Sequence, residues 1–360
     1  MEMELQVTTD ASDPQWDEFL ANTPVGHHVQ TSLWAQVKSL NHWRPIRIIA
    51  RAGGRIIGGA QILHRSFTSF AGVAYLTKGP VVVDNNIALT KAIIERATWV
   101  CAQRHALLFA VQPANNAYEL ASYLTQSGFQ PSALQLAPVA SLILNLTLPL
   151  ETILGNMKRQ TRQNIRRGEQ AGITIREGGE NDLDAFYEFH AATSKRQGFH
   201  PYSKQYYEHM RATFEPRGHF KLFMTEWNRE KISSLLVIPF GDTVLAKILG
   251  WSGAHPELRP NDCLFWNVIQ WSKANGYRYF DFEGIDLDGA KAVLAGQPLP
   301  ASLQHSPDFF KLGYGGQVAI FPAAFEMIPN PLIHWAYKKA SPTVGGNSVA
   351  SRLMDRLRKV

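Results

Sequence analysis

Three short patterns occur twice in this chain, in the same order and about 170 residues apart. The first is a strand-like segment at residues 4–8, then Asp10, Ser12 or Asp13 as a helix cap, then Trp16, Phe19 and Leu20 on one apolar face. It recurs as residues 173–176, then Asn181 or Asp182, then Leu183, Phe186, Tyr187 and Phe189. The second is a hairpin, residues 46–51 and 55–63 about Ala52-Gly53-Gly54, with a counterpart at 220–225 and 231–238 about Trp227-Asn228-Arg229. In the third, an apolar helix runs directly into a strand, from Ala97-Thr98-Trp99 to Phe109-Ala110-Val111 and from Ile269-Gln270-Trp271 to Asp281-Phe282-Glu283. A duplicated β-α-hairpin-α-β unit makes a mixed α/β chain, and 360 residues accommodate two such domains. Residues 144–148 read as a strand before Pro149, which puts the boundary near 149, with domains at 1–148 and 149–317. Residues 318–321 read as one more strand. Residues 341–348 read as a Pro/Gly/Ser linker, and 349–360 as a basic amphipathic tail, a solvated helix end before a contact with anionic lipid.

A formal net charge of +6 favours anionic partners such as nucleic acid, phosphates or an acidic membrane surface, and keeping the chain soluble is an equal alternative. No apolar run reaches the roughly eighteen residues of a membrane span, and the acidic start Met1-Glu2-Met3-Glu4 is unlike a signal peptide. Cys101 and Cys263 lie in apolar stretches and read as buried, reduced thiols. The expectation is a cytoplasmic protein.

Covalent and zinc chemistry find no support in the motifs. G-x-S-x-G is absent, neither cysteine has an activating neighbour, and no H-x-x-x-H or H-E-x-x-H pair occurs. Asp281, Glu283, Asp286 and Asp288 do not fit a calcium loop, because the twelfth position would be Ala295. Alternation there places Asp281 and Glu283 on one face of a strand end, to position an amine or to cap the next loop. Arg55-Ile56-Ile57-Gly58-Gly59-Ala60 matches a coenzyme A pyrophosphate pattern but forms the second arm of a hairpin, where no helix N-terminus follows.

Two stretches carry more weight. From Gly155 to Arg167 there are five basic residues and no acidic one; on a helix Lys158, Arg162 and Arg166 share a face with Arg159 and Arg167 beside it. That face suits RNA or pyrophosphate, or it is simply solvated. Near the end, Phe309-Phe310-Lys311-Leu312-Gly313-Tyr314-Gly315-Gly316 delivers one lysine into a glycine-rich turn. Aromatic neighbours would hold the lysine, and the glycines would allow a close approach. Snorkelling to water is an equal alternative on local grounds.

These residues together resemble the FemABX family, the aminoacyl-tRNA-dependent peptidyltransferases of peptidoglycan bridge synthesis. Gln30-Thr31-Ser32-Leu33-Trp34 with Lys38 resembles its Q-S-x-x-W…K segment, and Tyr75 to Gly79-Pro80 its Gly-Pro loop. Met157-Lys158 through Arg162, Asn164, Ile165, Arg166 and Gly172 resembles its basic signature. Phe280-Asp281, Gly284-Ile285, Phe310-Lys311 and Gly315-Gly316 resemble its ending.

The resemblance implies two tandem GNAT-like domains, each a mostly antiparallel sheet flanked by helices. It also implies a first domain completed by about residues 318–340, and a compact type without a coiled-coil arm. It implies an enzyme that moves an amino acid from aminoacyl-tRNA to an amine of a UDP- or lipid-linked muropeptide, with no cofactor. Lys311, with the backbone at Phe310, would stabilise the oxyanion. Lys38 and Arg196 would hold precursor phosphate, and Lys158, Arg159, Arg162 and Arg166 would meet tRNA. Trp34, Tyr75, Gly79, Gln112, Asp281, Glu283, Gly315 and Gly316 complete the expected substrate side. Two departures bear on the acceptor: Gln112-Pro113 stands where the family often has an acidic residue before proline, and Glu283 stands where it has Gly. The alternative is an acyl-CoA-dependent N-acyltransferase acting on another amine.

Overall fold

The computed structural model describes residues 3–304 and 306–340. The chain begins β1 (Met3–Thr8), α1 (Pro14–Ala21), α2 (Ser32–Ser39), β2 (Arg44–Ala52), β3 (Arg55–Thr68), β4 (Ala71–Thr77), β5 (Val81–Val82), α3 (Ile87–Gln103), β6 (Ala106–Gln112), α4 (Leu120–Gln126) and β7 (Gln130–Pro131). Next come β8 (Ala140–Asn145), α5 (Leu150–Asn156), α6 (Arg159–Gln170), β9 (Thr174–Glu177), α7 (Leu183–Gln197), α8 (Lys204–Phe214), β10 (Lys221–Trp227), β11 (Glu230–Phe240) and β12 (Thr243–Trp251). The chain continues with α9 (Pro260–Ala274), β13 (Tyr279–Asp281), α10 (Leu287–Leu294), α11 (Pro307–Lys311) and β14 (Gln317–Ile320), then β15 (Phe325–Met327) and α12 (Pro331–Ala340).

Two compact units result, one from residues 1–139 together with the segment after 320, the other from 140–320. The first sheet runs β1-β2-β3-β4-β6-β15-β7 with β5 on β3, and the second runs β9-β10-β11-β12-β13-β8-β14. Both follow one plan. Three strands meander, a long helix (α3 or α9) crosses over, and the strand it leads to pairs in parallel, β6 with β4 and β13 with β12. Every other neighbour pair along the two sheets is antiparallel. A parallel pair requires such a crossover, so the long helix and the parallel strand come together.

Local chemistry accounts for the element ends. Asp13 accepts from the Trp16 amide to start α1, Asn86 from Leu89 to start α3, and Ser203 from Tyr206 to start α8. The two matching hairpins turn on residue pairs with positive φ, Gly53-Gly54 and Asn228-Arg229, as a two-residue hairpin of this twist requires. Each sheet buries one helix-covered core. In the first unit it includes Ile48, Ile62, Leu76, Ile93 and Phe109; in the second, Leu142, Leu235, Phe265, Phe280 and Tyr314.

Four expectations need correction. The strand before Pro149 is Ala140–Asn145 and pairs with β13 and β14, so the second unit starts at 140 rather than 149. The last strand of that unit is Gln317–Ile320, paired with β8, and the chain rejoins the first sheet only at β15. Tyr75 lies within β4, a third meander strand, and the loop begins at Lys78. The basic stretch is two helices, because Met157 and Lys158 are extended (ψ 152° and 146°), which removes Lys158 from the helical face. The linker and basic tail at 341–360 lie outside the described residues. No helix among the described residues is long and apolar enough to cross a membrane.

Candidate active site

Lys311 closes the five-residue helix α11, which Ser306 caps by accepting from the Asp308 amide. Its Nζ donates to the carbonyl oxygens of Glu283 (3.0 Å) and Gly284 (2.5 Å). Both carbonyls face the ammonium because Glu283 (φ 43°) and Gly284 (φ 83°) are left-handed in succession. That conformation is ordinary for glycine and strained for glutamate. Glu283 is held there by two contacts: its amide donates to Asp281 Oδ1 at 2.7 Å, and its carboxylate pairs with Lys247 of β12 at 2.5 Å. Asp281 is in turn fixed by the Ser141 hydroxyl from β8. Glu283 therefore lies beyond the strand end, and it does not share a face with Asp281. Burial lowers the Lys311 pKa, while Asp308, Glu283 and Asp281 pull it upward.

Chain packing fixes the turn after Lys311. A Cβ on Gly315 (φ 70°) would stand 1.9 Å from Asn156 O, one on Gly316 2.7 Å from Ile143 O, and one on Gly313 2.4 Å from Thr161 Oγ1. The close approach read from these glycines is made by the protein's own backbone and α6. Phe310 packs among Phe265 and Tyr314, with ring centroids 5.4 and 5.5 Å away. Phe309 points to solvent, and Lys158 Nζ sits 4.9 Å above its ring. The Lys158 amide donates to Gly313 O at 2.8 Å, which joins the start of the basic helix to the lysine turn.

Within α6, Thr161, Asn164, Ile165 and Gly168 are buried against the unit. Asn164 donates to Asp262 Oδ1 at 3.2 Å, and Cys263 Sγ donates to Ile165 O at 3.2 Å. A Cβ on Gly168 would stand 2.2 Å from that sulfur. Arg159, Arg166 and Arg167 are exposed. Arg162 instead bonds Gly155 O at 3.1 Å and Met157 O, tying off the end of α5. Burial raises the Asp262 carboxyl to about 6, against the opposing pull of Asn164 and Arg259.

Arg196 lies apart from this group. It bonds Trp251 O (2.5 Å) and Thr193 Oγ1 (3.1 Å) and stacks on Trp251, joining α7 to the end of β12.

The remaining expected residues belong to the first unit. Lys38 is buried with Nζ 4.8 Å from the Trp34 ring, and Trp34 meets His28 edge-on. Tyr75 packs against Trp43 at 4.6 Å. Gly79 donates to Gln112 O, and a Cβ there would stand 2.9 Å from Gln30 Oε1. Gln112 is fully buried and spends its amide on the chain: Nε2 faces the carbonyls of Ala137 and Pro322, and Oε1 accepts from the Ala137 amide at 2.8 Å. It is a loop brace with no group turned to a ligand. Gln30 is similar, bridging Gln61 and Thr77. Arg55 to Ala60 lies in β3, which pairs with β2 and β5, so it forms no phosphate cradle.

Sequence reading missed Lys247 and Ser141, which hold Glu283 and Asp281. A lone lysine between Ala246 and Ile248 in an apolar strand was the available signal.

The acetyltransferase (GNAT) domain family matches residues 155–291, from the end of α5 into α10, which takes in the meander and the long helix α9 but not the Lys311 turn. With the repeated sheet plan, the fold defines a tandem GNAT-type protein. The chain is 23% identical to the UDP-N-acetylmuramoylpentapeptide-lysine N(6)-alanyltransferase of Weissella viridescens, over 76% of this chain and 86% of that one. It is 22% identical to the lipid II:glycine glycyltransferase of Staphylococcus aureus, over 60% of this chain but only 54% of that longer protein. The solved structure of FemX superposes with a TM-score of 0.80 at 18% identity, covering 93% of this chain and 99% of FemX. The fold is that of FemX, and the relatives named for alanyl and glycyl transfer are similar in sequence, in line with the FemABX resemblance read from the motifs.

Proposed function

We propose that this protein is an aminoacyltransferase that moves an amino acid from aminoacyl-tRNA to an amine on the stem peptide of a peptidoglycan precursor. The observation that carries the reading is the anchorage of Lys311. Two of its three N–H donors are taken by Glu283 and Gly284, which leaves the third for a developing oxyanion. The relatives named for transfer of alanine and glycine to such precursors support the substrate class.

An aminoacyl ester is already activated, so alignment and charge stabilisation suffice. The acceptor nitrogen attacks the ester carbonyl carbon, and the negative charge that gathers on its oxygen faces the Lys311 ammonium. Collapse breaks the ester C–O bond, leaves an amide, and returns the proton lost by the amine to the departing tRNA hydroxyl. Phe310, packed on Phe265, fixes the start of the lysine side chain. The exposed Arg159, Arg166 and Arg167, with Lys158 on Phe309, form the surface offered to the tRNA backbone. Lys38, Tyr75 and Trp34 remain the residues proposed for the precursor. Gln112, Gly315 and Gly316 are reassigned as braces.

The match to an acetyltransferase domain favours one other donor, an acyl-CoA. Incubation with a pool of charged tRNAs and a muropeptide should add the mass of one aminoacyl residue, and acyl-CoA should not substitute. Transfer from acyl-CoA alone would overturn the proposal.

A further inference from the structure

One end of the first unit's sheet exposes large apolar side chains that nothing in the transfer site uses. Phe67 (48% exposed) and Phe70 (79%) form the tip between β3 and β4. Gly72 of β4 pairs with Ala106 at the start of β6, and the Gly72 amide donates to His105 O, so the end of α3 lies at the same end. Phe70 meets the His105 ring at 6.2 Å. One turn back on α3, Trp99 is 53% exposed beneath the Arg96 guanidinium, 4.5 Å from its ring.

The register brings α12 to this end as well. Met327 pairs antiparallel with Phe109, so the chain leaves β15 toward the start of β6. It then forms α12, where Leu332 (78%) and Trp335 (61%) face solvent and Lys339 Nζ sits 4.3 Å over Trp335.

The charge leans basic. No Asp or Glu occurs in residues 19–83, 96–118 or 327–340; the carboxylates beside these stretches include Asp10, which follows β1 and accepts from the Thr8 hydroxyl, and Glu326, which accepts from the Ser132 and Tyr337 hydroxyls. Arg44, which pairs with His64 at the base of the tip, is exposed, and so is Arg104. Isolated surface aromatics are ordinary, whereas aromatics clustered among arginines, with the neighbouring carboxylates bonded to the chain's own hydroxyls, match an anionic bilayer interface, where rings sit at headgroup depth.

We infer that this end of the first unit, with Phe67, Phe70, Leu332 and Trp335 as apolar contacts and Arg44 and Arg104 as a basic rim, docks on an anionic lipid surface. Resting on the proposed function, this would bring the enzyme to precursor carried by lipid.

The test uses the full chain and vesicles of phosphatidylglycerol with phosphatidylcholine, free of precursor and of RNA, so its outcome does not depend on whether transfer occurs. Sedimentation should bring the wild type down with these vesicles, and pure phosphatidylcholine should retain much less. Phe67→Ser/Phe70→Ser should cut the partition coefficient about tenfold, and Leu332→Ser/Trp335→Ser by a similar factor. Arg44→Gln/Arg104→Gln should weaken binding and flatten its salt dependence. All these positions are exposed, so unchanged thermal unfolding would show that the variants fold. A wild type that stays in solution, or equal sedimentation by the aromatic variants, would overturn the inference. Equal binding to neutral and anionic vesicles would remove the basic rim.

Discussion

Lys311 depends on its neighbours for both position and charge. Removing it in Lys311→Ala should slow transfer by about 10²–10³-fold, the scale of a lost oxyanion donor, with precursor affinity unchanged by calorimetry. An equal loss of affinity would reduce Lys311 to a binding residue. Only its protonated form carries the charge, and burial lowers its pKa below the ordinary 10.5. The wild-type advantage over Lys311→Ala should therefore be largest at low pH and fade as pH rises through a value below 10.5. Comparing the two proteins cancels titration of the acceptor amine. Glu283 offers a second check at this scale. Glu283→Gly relieves a positive φ but takes the carboxylate from a mostly buried pair with Lys247, so the lost pair should outweigh the relief and unfolding free energy should fall by about 1 kcal/mol or more. Glu283→Val adds a branched Cβ at φ 43° and should cost more, about 2 kcal/mol or above.

The packing of α6 on α9 and on the lysine turn is where sequence and structure part. The signature positions Asn164 and Ile165 read as company for a basic face, yet they are the buried side of α6, bonded to Asp262 and Cys263. The basic spacing was visible, but the break at Met157-Lys158 was not, because nothing local forbids one continuous helix there. The glycines after Lys311 were legible as glycines; that Asn156 and Ile143 fill the space is a long-range fact. Gly315→Ala should destabilise by about 3 kcal/mol or more in denaturant unfolding and displace Lys311 with it. Asp262 gives this contact a pH signature. Its folded pKa, about 6, exceeds the ordinary 3.8, so folding is favoured below 3.8 and that contribution is lost as pH rises through about 6. Asp262→Asn should match the wild type near pH 4 and be more stable at pH 7.5, by up to about 3 kcal/mol. A difference independent of pH would contradict the assignment.

At the level of the whole chain, duplication was the most legible feature, because two hairpins and two helix-to-strand junctions preserve local patterns. The third meander strands, β4 and β12, went unread: β4 runs into Lys78-Gly79-Pro80, which reads as loop, and β12 was never matched to it. β8 opens the second unit yet pairs with β13 and β14 at its far end, and pairing across such a distance leaves no local trace. The return of the chain to the first sheet, made at β15, was implied only by the family resemblance. Binding to tRNA belongs to this scale too. Arg159→Gln/Arg166→Gln should weaken tRNA affinity and reduce the slope of log K against log salt by about 1 to 2, in filter-binding titrations. Arg162 is a poorer probe because it also holds α5.

Single-turnover transfer from a defined aminoacyl-tRNA to muropeptide, followed by mass spectrometry in wild type and Lys311→Ala, tests the central claim most directly. The account predicts a product heavier by one aminoacyl residue, formed orders of magnitude more slowly without Lys311 while both proteins bind muropeptide alike. Equal rates in the two proteins, or product only when acyl-CoA replaces the charged tRNA, would contradict it.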